Sequence, residues 1–554
     1  MVKRIFNLLS REIRGLHEAA YLLGMFALAS QLLALFRDRL LTGKFGAGQV
    51  LDVYYAAFRI PDFLFVTIAS VVSLSVLIPF LVDRIGKSEE DGREFISGVF
   101  SFFALAMLVT GIVMYLLIPF LSKILFPGFT PSAYADLTTL TRILLLQPIL
   151  LGASSLFASV VHVYKKFILY ALSPLLYNIG IIIGIVFFYD SFGIKGLAYG
   201  VVLGACMHLF LQMPFIVQAG FLPRFALKRH IAEIKKIVIL SLPRTLALSS
   251  SQIALLVLAG LASLMSVGSI AVFNLAFNLQ SVPLAIIGAS YSVAAFPTLA
   301  QLFNKGDKEL FFEHITVATR HVIFWSFPAV ALFIVLRAQI VRVILGTGQF
   351  SWEDTRLTAA ALAFFALSLL AQGLVLLFVR GYYAAGKTKK PVLINVFSSA
   401  LIIVFAFGFT ALFKESAFWR YFIESLMRIE DVPGTTVLML PLSYSLALII
   451  NATLFWILFQ RDFSRFSRML GTTFFQNLSG AIVMGFVAHI MLNVFSTVFD
   501  LDTFVGIFAQ GLLSGIIGIV CGILILRILH NRELSEVWKG LHRKFWKTTV
   551  ISSE

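Results

Sequence analysis

Five ionisable side chains, Arg37, Asp38, Arg39, Asp52 and Arg59, fall among apolar segments long enough to cross a bilayer. A charge in that setting is costly and usually has a task. The stretch reads FRDRLLTGKFGAGQVLDVYYAAFRIPDF from Phe36 to Phe63, with guanidinium groups and carboxylates interleaved. A turn at Gly46, Ala47 and Gly48 separates two helical spans, and Pro61 interrupts the second. At membrane depth such breaks are tolerated only where protein or a water-filled cavity satisfies the freed backbone groups. The stretch is therefore read as the substrate-facing part of a transporter, and its cations point to an anionic ligand.

Other candidate chemistry resolves into structure. Cys206 and Cys521 both lie in apolar runs, with neither a metal-ligand spacing nor a disulfide pattern. His162, His208 and His321 are isolated and are read as structural residues. Gly381, Gly386, Lys387 and Thr388 have the spacing of a phosphate-binding loop. That motif needs a strand before it and an α/β domain around it, whereas here it joins two membrane helices. Lys387, Lys389 and Lys390 are assigned to anchoring the cytoplasmic face, and no enzymatic activity, cofactor or metal is expected.

Composition sets the class. Of 554 residues 59% are hydrophobic and 13% charged, and the mean hydropathy is +0.94, far from the soluble norm of about 45–50% apolar and about 25% charged. The chain reads as an all-α polytopic membrane protein. Its formal net charge of +16 comes in short clusters between apolar spans, as orientation signals would, so no nucleic-acid partner is expected.

With about 20 apolar residues to a crossing, fourteen transmembrane helices are expected, numbered here as spans 1 to 14. They lie near 17–36, 50–81, 95–123, 137–162, 167–189, 194–217, 234–265, 270–302, 316–337, 355–384, 390–413, 436–460, 472–498 and 503–530. Lys3, Arg4, Arg11 and Arg14 precede span 1, but no small-residue cleavage site follows, so span 1 is read as retained.

Basic clusters recur in alternate connections: Lys165 and Lys166; Arg224, Lys228, Arg229, Lys235 and Lys236; Lys305 and Lys308; Lys387 to Lys390; Arg461, Arg465 and Arg468. The positive-inside bias makes these sides and both termini cytoplasmic. The opposite connections are short or acidic, as at Asp190, Glu353, Asp354, Asp500 and Asp502. The longest, Lys414 to Gly434, reads as an amphipathic surface segment with Trp419, Tyr421, Phe422 and Leu426. Arg37, Arg39 and Lys44 break the bias, since they sit near the outer end of span 1.

An internal repeat organises the whole. Ala57-Phe58 returns as Ala276-Phe277, Pro79 as Pro297, and the run from Pro174 to Asn178 as Pro391 to Asn395, at offsets of 219, 218 and 217 residues. A shift of six helices preserves orientation, so the halves are parallel repeats about an axis along the membrane normal. The expected division is an N-terminal lobe at 1–217, a C-terminal lobe at 218–465, and spans 13 and 14 with a basic tail at 466–554.

These residues resemble a known family. Phe36-Arg37-Asp38, Phe45 to Gly48, Asp52, Ala57 to Pro61 and Ile78-Pro79 look like the opening signature of the MurJ (MviN) lipid II flippases, in the multidrug/oligosaccharidyl-lipid/polysaccharide exporter superfamily. Further matches are Pro127 to Phe129, Gln212 to Pro214, Ser251 to Ile253, and Gly381 to Tyr383 leading to Thr388 and Pro391. The resemblance implies a two-lobed transporter of the bacterial inner membrane. Its central cationic cavity would move a lipid-linked peptidoglycan precursor from the inner to the outer leaflet by alternating access, in the service of cell wall biogenesis and cell shape.

By the same resemblance Arg37, Asp38, Asp52 and Arg59 are the substrate-binding candidates. Arginine offers a forked donor array to phosphate oxygens, and Asp52 is expected to hold Arg37 or Arg59 until the diphosphate arrives. The pattern departs at three places, where the family's basic residues give way to Gln31, Phe65-Val66 and Asn278. Gln31 and Asn278 are thus weaker candidates, and the anion site is either reduced or rebuilt from other residues such as Arg142 or Arg244. Spans 7 to 12 carry almost no carboxylates at depth, so membrane potential on the cationic cavity is the simpler driver. Expected partners are an anionic lipid-linked substrate, membrane lipids and envelope-synthesis proteins. Two alternatives stand beside this reading: export of another polyprenyl-linked oligosaccharide or an amphipathic drug, and a non-transporting scaffold for envelope synthesis.

Overall fold

In the computed structural model, residues 16–69, 74–226, 231–463 and 468–546 are described. The N-terminal cations Lys3 to Arg14, together with Lys228, Arg229 and Arg465 and the tail from 547, lie outside them. Among the described residues the regular structure is entirely helical. Among these residues eleven helices are long and apolar enough to cross a membrane, and twelve if the pair Trp352–Ala366 and Leu369–Ala384, bent by 43°, counts as one.

These twelve coincide with expected spans 3 to 14. Span 1 is the continuous helix Leu16–Phe45. Span 2 is divided into Gln49–Ala57, Arg59–Leu64, the π-helical turn Phe65–Ala69 and Leu74–Lys87. None of those pieces reaches crossing length alone, so the count of fourteen is not met by continuous helices. Pro61 lacks the N–H that an unbroken helix needs, and the wider π turn follows four residues later. Span 8 repeats the device, with Pro283 ahead of the π turn Ala285–Ala289. The two turns are 220 residues apart, so the repeat read from the sequence has a structural echo.

The helices pack as two compact units. One comprises Met1–Asn274, Leu345–Asp354 and Asn395–Ile403. Its core gathers Phe95, Phe103, Leu156, Phe157, Val160 and Ile216. Spans 5 and 6 meet along glycines, where a Cβ at Gly180 would overlap Gly204 and one at Gly200 would press on Gly184. Small residues let helix backbones approach where lipid supplies no hydrophobic drive between them.

The other unit comprises Leu275–Ile344, Thr355–Ile394 and Val404–Glu554. Its core is aromatic, with Phe311, Phe378, Tyr382, Phe455 and Phe459. The phosphate-loop spacing is absorbed here, since Gly381 lies inside the helix Leu369–Ala384 with no strand before it. The segment after Lys414 forms the helix Ala417–Met427, capped by Ser416, with Phe418, Tyr421, Phe422 and Leu426 exposed and Ile423 buried. After the last span, the helix Arg532–Trp546 is pinned through Glu533, whose Oε1 accepts from Arg320 Nε at 2.5 Å and Thr473 Oγ1 at 3.1 Å.

Candidate functional site

The ionisable stretch is held from the inside of the first unit. Arg37 lies eight residues before the end of its helix and bonds its neighbour, with Nη2 and Nε donating to Asp38 Oδ1 at 2.7 and 3.0 Å. Its Nη1 donates to Asn178 Oδ1 on span 5 at 3.1 Å. Asn178 is itself oriented, since its Nδ2 donates to Pro174 O at 3.1 Å and Ser30 Oγ at 3.4 Å. Asp38 is 2% exposed. Charge-assisted bonds of this kind are shorter and stronger than neutral ones, so the Arg37 fork is fixed in direction between spans 1 and 5.

Asp52 and Arg59 do something different, because both reach span 8. Gly48 in an extended conformation starts the helix Gln49–Ala57, which puts Asp52 on its first turn. There its Oδ2 accepts from Gly268 N at 2.6 Å and its Oδ1 from Ala271 N at 2.8 Å. These amides belong to the start of the helix Ser269–Leu284. A carboxylate at that point satisfies orphan donors and meets the positive end of the helix dipole. Arg59, just past the break at Phe58, donates from Nη2 to Asn274 Oδ1 at 2.5 Å. Asn274 in turn donates to Ile270 O at 2.7 Å. The Arg59 Nε is buried and has no hydrogen-bond partner among the described residues.

Thus Arg37 and Asp38 come together, and Asp52 and Arg59 are joined through span 8. The expected pairing of Asp52 with Arg37 or Arg59 is absent from the bonds described, because both Asp52 oxygens are taken by backbone amides. Gln31 is half-buried on the Arg37 helix, and Asn278 is half-buried four residues beyond Asn274. Arg142 lies apart, donating to Tyr115 O and stacking over the Tyr115 ring; Arg244 is half-buried in the helix Ile231–Ser263. Asn178 and Asn274 were not foreseen as partners, although Asn178 already stood out as a landmark of the repeat. Asp62, one turn after Arg59, was also missed as a candidate.

At one end of this unit the connections lock together. Thr42 Oγ1 donates to Leu345 O at 2.9 Å, and Gln349 N donates to Gly43 O at 2.9 Å. Asp354 Oδ2 accepts from Ser351 N at 3.0 Å and from Ala47 N at 3.3 Å. Gly268 has φ +91°, and a Cβ there would overlap the Ala47 carbonyl oxygen. Gly128 likewise packs directly on the Ser263 carbonyl. Connections from both repeats therefore close this end with backbone contacts that leave no room for side chains.

Comparison with known proteins agrees with this architecture. A solved lipid II flippase MurJ in an inward closed conformation superposes with a TM-score of 0.71 at 22% identity, covering 94% of this chain and 99% of that one. An inward-facing multidrug resistance MATE family transporter of the MOP superfamily gives 0.64 at 15% identity, covering 78% and 94%. The probable lipid II flippase MurJ of Buchnera aphidicola subsp. Acyrthosiphon pisum is 28% identical over 386 residues, 68% of this chain and 75% of that protein. Because the family model for lipid II flippase MurJ matches residues 42–510, most of its length, the chain belongs to the MurJ family.

Proposed function

We propose that this chain is a flippase that carries lipid II, a lipid-linked pyrophosphate, from the inner to the outer leaflet of the bacterial cytoplasmic membrane. The observation that carries the reading is Arg59. In a chain of this family it is half-buried, yet its Nε is buried and unmatched among the described residues, and a buried donor without an acceptor is costly. A diphosphate supplies acceptor oxygens in the geometry that arginine forks match. Arg37, preset by Asp38 and Asn178, offers a second fork.

The interlocked end is assigned to the outer side by the charge bias of the connections. In that arrangement the substrate enters from the cytoplasmic side, and release requires the contacts around Asp52 and Gly268 to part. The lobes 1–217 and 218–465 rock against each other, with both termini cytoplasmic. An inside-negative potential acting on the emptied cationic site drives the return.

Complementation tests this. A bacterium depleted of its own lipid II flippase receives the wild-type chain or Arg37→Ala or Arg59→Ala, with membrane levels measured alongside. Rescue by the wild type and its loss in well-inserted variants is the expected result. A well-inserted wild type that fails to rescue, and fails to move fluorescent lipid II in proteoliposomes, overturns the lipid II assignment.

A further inference from the structure

We infer that a groove at the end of the helix Leu16–Phe45 is a binding site for an anionic glycerophospholipid of the surrounding leaflet, separate from the Arg37 and Arg59 site. The groove has a volume of about 410 Å³, and its lining includes Phe36, Arg39, Leu40, Lys44, Val186 and Thr347. Phe36, Leu40 and Lys44 stand at i, i+4 and i+8, so they share one helix face. Along that face the order is apolar first and cationic at the helix end, the same order as acyl chain and phosphate in a lipid. Phe36 is 50% and Val186 41% exposed, so the apolar wall is open to the bilayer.

Charge supports an anionic headgroup. Arg39 and Lys44 put two cations on the groove. Lys44 Nζ donates to Asp190 Oδ1 at 2.5 Å and to Ile185 O at 3.2 Å, which uses two of the three donors an ammonium carries. The Lys44 side chain is 30% exposed, so a phosphate can reach it in exchange for the Asp190 carboxylate. These are also cations that the orientation bias leaves unexplained. The position has a consequence for the closed end. A Cβ at Gly43 would sit 2.7 Å from Thr347 Cγ2, so a lipid seated against Thr347 supports the connection that Gln349 ties to Gly43.

The full chain in nonionic detergent is titrated with phosphatidylglycerol or with phosphatidylcholine of the same acyl chains, and bound lipid is counted by native mass spectrometry. The expected result is one saturable site preferring phosphatidylglycerol, weakened about five-fold for each of Arg39→Gln and Lys44→Gln, as about 1 kcal/mol per cation requires. Lys123→Gln, which removes an exposed cation from another helix end, keeps the preference. Equal binding of the two lipids by the wild type overturns the inference, as does a preference that survives Arg39→Gln/Lys44→Gln. If that double variant does not fold, Val186→Trp replaces it, filling the groove with both cations intact, and retention of the site then overturns the inference. Inorganic phosphate that binds at the same cations without any lipid preference assigns the groove to a free anion instead.

Discussion

Asp52 caps a helix from another part of the chain: its two carboxylate oxygens accept from Gly268 N at 2.6 Å and Ala271 N at 2.8 Å, at 5% exposure. Asp52→Ala leaves both amides buried without that acceptor. Loss of a helix cap costs about 1–2 kcal/mol, and here the cost falls on the closed arrangement. Thiol labelling of a cysteine placed at Ser269, which is 2% exposed beside the cap, is expected to rise several-fold in Asp52→Ala, while Asp52→Asn, which keeps one acceptor, lies between. Unchanged labelling in Asp52→Ala removes the carboxylate from the closing device.

Gly268 tests the same closure from the opposite side. Its φ of +91° is strained for any L side chain, and a methyl group would overlap the Ala47 carbonyl oxygen. Gly268→Ala is expected to insert normally and to lose most transport, with the same rise in Ser269→Cys labelling.

Arg59 separates charge from geometry. Arg59→Lys keeps the cation and loses the fork that reaches Asn274. A bond to a charged group contributes about 1.5–3 kcal/mol, so lipid II flipping in proteoliposomes is expected to fall roughly ten-fold or more. Asn274→Ala, which frees the guanidinium, is expected to alter substrate affinity rather than abolish binding.

The C-terminal helix depends on a buried ion pair. Arg320 and Glu533 are 2% and 1% exposed and 2.5 Å apart. Removing one partner of such a pair strands the other and costs about 3–5 kcal/mol. Glu533→Ala is expected to lower the unfolding temperature more than Arg320→Met/Glu533→Leu does. The reverse order in differential scanning fluorimetry contradicts the pairing.

One pH dependence follows outside the membrane spans. A hydrogen bond from Arg356 holds the Asp431 carboxyl below its ordinary value. A group depressed in the folded state contributes stability above its unfolded value, and the contribution is lost as pH falls through the folded one. Amide protection across 428–434, meaning exchange corrected for its intrinsic pH dependence, is expected to stay constant from neutral pH to about 4 and to fall below that. Arg356→Gln should remove the step. Because Asp431 is exposed, the effect stays local.

Much of this was legible in the residues. Long apolar runs mark spans 3 to 14, and Pro61 marks the break in span 2. Arg37, Asp52 and Arg59 stood out because charge is expensive in such runs. Their partners did not, since Asn178 and Asn274 read as ordinary polar residues and lie 141 and 215 positions from the arginines they hold. The expected match for Asp52 was a guanidinium. It met backbone N–H groups instead, and every residue at a helix start offers those whatever its side chain, so no sequence pattern announces them.

The bond from Ala271 to Asp52 spans 219 residues, the same interval that separates Ala57-Phe58 from Ala276-Phe277. Asp52 therefore grips its own counterpart in the second copy of the repeat. The contact thus joins equivalent positions of the two copies. A perfectly duplicated chain would put a second carboxylate at position 271. This chain instead sets a single acid against an alanine amide, so the duplicated positions have taken complementary parts, one acceptor and one donor.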